Sequence, residues 1–165
     1  MSAHYAVEEN GQIFALVKEE MRAWHAGVAS WRGVENINAR SIGIEIVNPG
    51  HEFGYRAFPE AQMTAVMALA VDIVTRHTIP ARNVVGHSDV APHRKEDPGE
   101  LFDWQVLARS GVGLWYRDEA STFHTNTPLV SNERGNAVSN LQEALKTLGY
   151  DVELDGYYGA ELTSI

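Results

Sequence analysis

The chain has 165 residues, with 13 Lys and Arg against 22 Asp and Glu, a formal net charge of -9, and 44% hydrophobic and 21% charged residues. That balance fits a folded globular protein and excludes a disordered polyelectrolyte, and the acidic excess disfavours nucleic-acid phosphates or an anionic membrane surface as partners. Cysteine is absent, which excludes disulfides and thiolate metal sites and leaves both cytosol and periplasm open as compartments.

The length accommodates one medium domain, or one domain with a small appendage. The opening MSAHYAVEENG lacks a basic segment followed by an apolar one, so no signal peptide is expected. No run reaches the roughly 18 apolar residues of a membrane span. Ser2–Glu8 alternates loosely, Glu9-Asn10-Gly11 reads as a turn, and Gln12–Lys18 is apolar enough for a second strand, which together predict a hairpin. His4 in the first of these strands reads as a strand histidine rather than a metal ligand.

Residues 19 to 35 are polar and aromatic, with Trp24, His25 and Trp31 between glycines, a composition that fits an irregular loop lining a groove for sugars or peptides. The same tryptophans also fit the edge of a core. Ser41–Val47, SIGIEIV, alternates with the period of a half-buried strand. Within it Glu45 is the residue of interest. A carboxylate among isoleucines is costly to bury unless it is paired or faces a wet cleft, and burial would raise its pKa towards a range useful for proton transfer; strict alternation equally permits an outward-facing residue.

Pro59–His77 reads as an amphipathic helix, with Met63, Val66, Met67, Ala70, Val74 and His77 on one face, Pro59 in the first turn and Thr78–Pro80 as the stop. The methionines are core filler, and His77 suits a helix end. Next comes Asn83–Gly99, NVVGHSDVAPHRKEDPG. It packs His87, Asp89, His93, Lys95 and Asp97 into one turn-rich loop behind an apparent strand end at Val84-Val85. A loop folded back by Pro92 and Pro98 could bring His87 near Asp97. Imidazole and carboxylate suit zinc, and Lys95 would place a cation beside it; a solvated loop with ordinary ion pairs is the alternative.

Asp103–Arg109 reads as a short helix and Gly111–Trp115 as the close of a domain. Arg117–Arg134, rich in Ser, Thr, Asn, Asp and Glu, reads as a linker, and Ala137–Leu148 as a helix presenting Val138, Leu141, Leu145 and Leu148 and stopped by Gly149.

The run GHSDVAPHRKEDPG closely resembles the second half of the zinc site of N-acetylmuramoyl-L-alanine amidases of the type-2 amidase family. AWHAGVASWRG at Ala23–Gly33 and NARSIGIEIVN at Asn38–Asn48 precede it in the family's order, so the resemblance covers roughly residues 1 to 115. It implies an α/β fold, a mixed central β-sheet flanked by helices, in a catalytic domain spanning 1–115. It also implies that the strand ending in the family's first zinc histidine is missing and that the chain begins inside that domain. By the same resemblance His87 and Asp97 are zinc ligands, Glu45 and Lys95 are catalytic, and His25 and Trp24 border the substrate cleft.

A catalytic zinc usually takes three protein ligands, and the matching positions supply two; His4, His93 or a partner chain are the conceivable sources of a third. The implied reaction is zinc-dependent hydrolysis of the amide between N-acetylmuramic acid and L-alanine in peptidoglycan or muropeptides, in a bacterial cell envelope. A peptidoglycan-binding protein without hydrolysis is the competing class, and the retention of Glu45 and Lys95 favours the enzyme. After a linker at 116–134, residues 135–165 resemble the start of a small helical peptidoglycan-binding domain through "LGY" and "DGYYG". That gives a small, partial α-helical C-terminal module, too short to bury a stable core alone. A C-terminal helix docked on the first domain is the other reading of that stretch.

Overall fold

In a computed structural model of the chain, which describes residues 2–116 and 128–165, the N-terminal hairpin forms as β1 (Tyr5–Val7) and β2 (Ile13–Ala15), antiparallel, with Ala6 opposite Phe14. The alternating SIGIEIV run supplies β5 (Ile44–Ile46), parallel to β1 with Ala6 opposite Glu45, so the sheet is mixed and ordered β2-β1-β5. Between them β3 (Ser30–Trp31) and β4 (Val34–Glu35) make a separate small hairpin.

Alternation along the strands sorts the sheet's two faces. Tyr5, Val7, Ile44 and Ile46 share one of them. There Val7, fully buried, packs with Val66 and Ala70 of helix α1 (Glu60–His77) and with Phe102, Leu107 and Val112, the first and last of these three flanking helix α3 (Trp104–Arg109). Pro59 precedes α1 and Thr78 ends it in the left-handed region. Asp103 caps α3, its carboxylate accepting from the Val106 amide at 3.0 Å.

The buried side of α1 differs in part from the stripe expected from its apolar residues. Gln62, Val66, Ala70 and Ile73 are the buried positions, whereas His77 lies outside the core. Gln62 is enclosed because its amide nitrogen donates to the Val7 carbonyl at 3.0 Å and the Val47 carbonyl at 2.8 Å, tying the helix to β1 and to the end of β5. Val7 O also accepts from the Val47 amide, so only Val47 O depends on Gln62. Gln62→Leu should therefore cost about 1–3 kcal/mol, the price of one buried carbonyl left unpaired. An unchanged urea midpoint would show that water or a neighbour replaces the bond.

His77 instead joins an ion-pair cluster on Glu19. Arg76 grips both oxygens of that carboxylate at 2.7 and 2.8 Å, His77 Nε2 lies 2.6 Å away, and the Tyr5 hydroxyl donates at 2.6 Å. The Arg76 bonds, followed by those from Tyr5 and His77, outweigh burial and hold the Glu19 carboxyl well below its ordinary value of 4.5. A depressed carboxyl stabilises the fold above its unfolded pKa and loses that contribution as pH falls through the folded one. The Tm difference between wild type and Glu19→Gln should thus be largest near neutrality and shrink as the pH drops below about 4.5. A difference that stays constant down to acid pH would detach Glu19 from the acid lability.

Residues 117 to 127, the greater part of the expected linker, lie outside the described residues. Beyond them α4 (Asn136–Leu148) and the short α5 (Ala160–Thr163) enclose Val138, Val152 and Leu162, flanked by Leu141, Leu145 and Tyr158. Leu148, expected on the buried side, is 47% exposed. The C-terminal stretch thus has a small core of its own and also seats on the first part of the chain, with Arg32 N donating to Gly149 O at 2.8 Å. Among the described residues, no helix is long and apolar enough to cross a membrane.

Candidate metal and catalytic site

Val84 and Val85 form no strand; the chain leaves a 3-10 turn at Ala81–Asn83 and enters a one-turn helix, α2 (His87–Val90). Asp89 causes this locally, because its Oδ2 accepts from the Gly86 amide at 2.6 Å and closes the first turn on itself. His87 is therefore the first residue of a helix rather than part of a loop. The segment then folds back as expected, with the Ser88 amide donating to Asp97 O at 2.9 Å.

That closure brings His87 Nδ1 to 3.0 Å from Asp97 Oδ2. On the far side of the ring, Nε2 lies 3.1 Å from the Ala26 carbonyl. A carbonyl can only accept, so Nε2 carries the proton, and in the neutral ring Nδ1 presents a lone pair to a carboxylate. Two acceptors so placed are satisfied by a doubly protonated ring or by a cation that both share. Their separation is within a few tenths of the ~3.3 Å that two tetrahedral zinc ligands at about 2.0–2.1 Å require. Burial pushes the Asp97 carboxyl up, but the His87 hydrogen bond and charge, with Lys95 behind them, bring it below its ordinary value. Lys95 Nζ stands 3.9 Å from Asp97 Oδ1.

The Ala23–Gly33 loop closes over this pair. Asn38 Oδ1 accepts from the Ala26 amide at 2.8 Å, and the Arg94 guanidinium donates to Val28 O at 2.7 Å and to Ala26 O. Both residues lie inside the motif runs, yet neither had a signal of function, because a polar side chain that bonds only to backbone leaves no pattern in the sequence.

His25 sits against the sheet. A Cβ on Gly43 would overlap its ring, so only glycine fits there. Gly43 and Glu45 point to the same face of β5, with His4 and Ala6 beside them on β1, so Glu45 projects from the face that carries His25. Burial, then the charge of His4 and, against the Ser41 carbonyl, that of His87, hold the His25 imidazole below its ordinary pKa, and its Nε2 is buried without a partner. Trp24 is 57% exposed, with the Arg22 guanidinium carbon 3.8 Å above its ring.

The fold decides between the alternatives at three residues. Glu45 is exposed, the outward-facing placement that alternation permits, because the isoleucines on either side of it turn to the core face and leave the carboxylate on the solvent side. His4, fully buried, has both nitrogens engaged, Nε2 with Met21 O at 3.0 Å and Nδ1 with the Gly43 amide at 3.0 Å, so it is structural and has no lone pair to offer a metal. His93 faces Glu161 at 3.8 Å, towards the C-terminal module. Neither is a third ligand as placed, and among the described residues no group of three or more metal-ligating side chains converges. His25 Nε2, the buried nitrogen without a hydrogen-bond partner among the described residues, belongs to a ring that packs on Gly43 and His4. A depression of about 460 Å³ next to Pro98, lined by His51, Ser88, Glu96, Gly99 and Glu100, includes neither His87 nor Asp97 and is a neighbour of the site rather than the site.

Residues 1–100 match the Amidase_2 family, described as N-acetylmuramoyl-L-alanine amidase. The chain is 40% identical over 172 residues to N-acetylmuramoyl-L-alanine amidase AmiD of Escherichia coli K12, covering 94% of this chain and 60% of the relative. It is 40% identical over 104 residues to the 1,6-anhydro-N-acetylmuramyl-L-alanine amidase AmpD of Citrobacter freundii, covering 63% of this chain and 54% of that protein. Its fold matches the structure of E. coli AmiD in complex with the substrate anhydro-N-acetylmuramic acid-L-Ala-D-gamma-Glu-L-Lys, with a TM-score of 0.77 and 39% identity over 92% of this chain and 63% of that one. The chain thus spans between half and two thirds of the length of these relatives.

Proposed function

We infer the activity from the premise that this chain belongs to the N-acetylmuramoyl-L-alanine amidase family: it hydrolyses the amide joining the lactyl group of N-acetylmuramic acid to the L-alanine of the peptide stem. The observation that carries this reading is the approach of His87 Nδ1 to within 3.0 Å of Asp97 Oδ2, close to the spacing of two ligands on one zinc ion. His87 and Asp97 would hold a zinc ion there. Bound in that place, zinc supplies Lewis acidity that polarises the amide carbonyl.

The remaining chemistry falls to the chain's own groups. The exposed Glu45 carboxylate takes a proton from the attacking water as its oxygen bonds to the carbonyl carbon, then delivers that proton to the alanine nitrogen as the C–N bond breaks. Lys95 Nζ, beside Asp97, faces the negative charge that develops on the carbonyl oxygen. The products are a muramic carboxylate and a peptide with a free amino terminus. Trp24 and His25 border the cleft on the sugar or peptide side. Residues 1–115 are the catalytic part and 135–165 belong to a peptidoglycan-binding module, which suits work at the bacterial cell envelope.

The test is direct. The zinc-loaded chain, incubated with a muropeptide, should yield the two products separated by mass; a chelator should stop the reaction and added zinc restore it. A muropeptide left intact by protein shown to hold zinc would sink the reading.

A further inference from the structure

The C-terminal module is seated against the back of α2. Gly149 ends α4 with φ at 139°, and a Cβ there would come within 2.9 Å of the Trp31 ring and 2.7 Å of Arg32 Cγ. Arg32 covers the open carbonyls of the helix end, its Nη1 donating to Leu148 O at 3.0 Å and Thr147 O at 3.4 Å while its amide donates to Gly149 O. Directly after this seat, the half-buried Tyr150 ring stands edge-on to Trp31, with centroids 5.3 Å apart. Its hydroxyl donates to Asp89 Oδ1.

Asp89 is thereby held at both oxygens, one by Tyr150 and one by the Gly86 amide whose bond closes the turn that carries His87. A four-residue helix has little stability of its own, so what fixes its first turn fixes the direction of its first side chain. We propose that Tyr150 is a positioning residue: through Asp89 the C-terminal module latches α2 and holds His87 Nδ1 opposite Asp97. The module then takes part in building the metal site in addition to any wall-binding role. This rests on the zinc reading above for its functional meaning, while the latch itself does not.

Two measurements on the full chain test it. Tyr150→Phe keeps the ring packed on Trp31 and removes only the hydroxyl. Amide hydrogen exchange at Gly86–Val90 should speed up in this variant, and zinc affinity, measured by competition with a chromophoric chelator, should fall about tenfold, the low end of what orienting partners of metal ligands contribute. Tyr157→Phe serves as the control, since that hydroxyl donates to Asn132, just before the module, at 2.7 Å; it should leave both readings at α2 unchanged. Wild-type exchange at α2, or wild-type zinc affinity in a folded Tyr150→Phe protein, overturns the proposal. If the wild type binds no zinc, the site reading fails, and the latch is decided by the exchange data alone.

Discussion

Glu45→Gln is expected to lower the rate of muropeptide hydrolysis by about 10²–10⁴-fold, the range for loss of a general acid–base group, with zinc affinity and the thermal midpoint essentially unchanged. The separation follows from placement. Glu45 belongs to β5, where its backbone pairs with Ala6 whatever the side chain, and the carboxylate is exposed and makes no hydrogen bond among the described residues. Exposed substitutions of this kind stay within about 0.5 kcal/mol. Glutamine keeps the length and polarity and removes the capacity to accept and return a proton. Because no step of metal binding uses Glu45, kcat should fall while the metal content stays stoichiometric. Retention of the wild-type rate in the zinc-loaded variant would remove Glu45 from the reaction and leave the chain with a proton to move and no group to move it.

His87→Ala should weaken zinc binding by more than about 100-fold, since even outer-shell partners of a metal contribute 10–100-fold, and should abolish hydrolysis with it. The imidazole is half of the His87–Asp97 pair, and its removal leaves Asp97 with Lys95 Nζ at 3.9 Å as a cationic neighbour. The Ala26 carbonyl would still be covered by Arg94, so the Ala23–Gly33 loop should hold and the fold survive. That makes the variant a clean probe of the metal. Isothermal titration of zinc into wild type and His87→Ala decides it: equal affinity in the two would take His87 out of the site, and with it the observation on which the proposed activity stands.

How far the site could be read before folding differs residue by residue. His87, Asp97 and Lys95 lie within eleven positions, so local turn chemistry sufficed to anticipate that the first two meet. His25 and Gly43 are eighteen positions apart, and nothing in either stretch says that the ring needs a glycine beneath it. Val84-Val85 misled because two apolar residues carry no period; the Asp89 side chain closing on Gly86 settled that stretch as a turn into a helix.

By itself the sequence determined those features whose cause is local: the alternation of SIGIEIV that makes β5, the apolar spacing that makes α1 and α4, the glycine that stops α4, and the three ordered runs that mark the family. Tertiary structure alone decided which polar groups are enclosed and by whom. Gln62 is buried because two strand carbonyls lie above it, His4 is withdrawn from metal binding because Met21 and Gly43 claim its nitrogens, and Tyr150 reaches Asp89 from 61 positions away. The physical reason is that a repeat of two or 3.6 residues is written in neighbouring side chains, whereas the partner of a hydrogen bond between distant segments exists only once the chain has closed on itself.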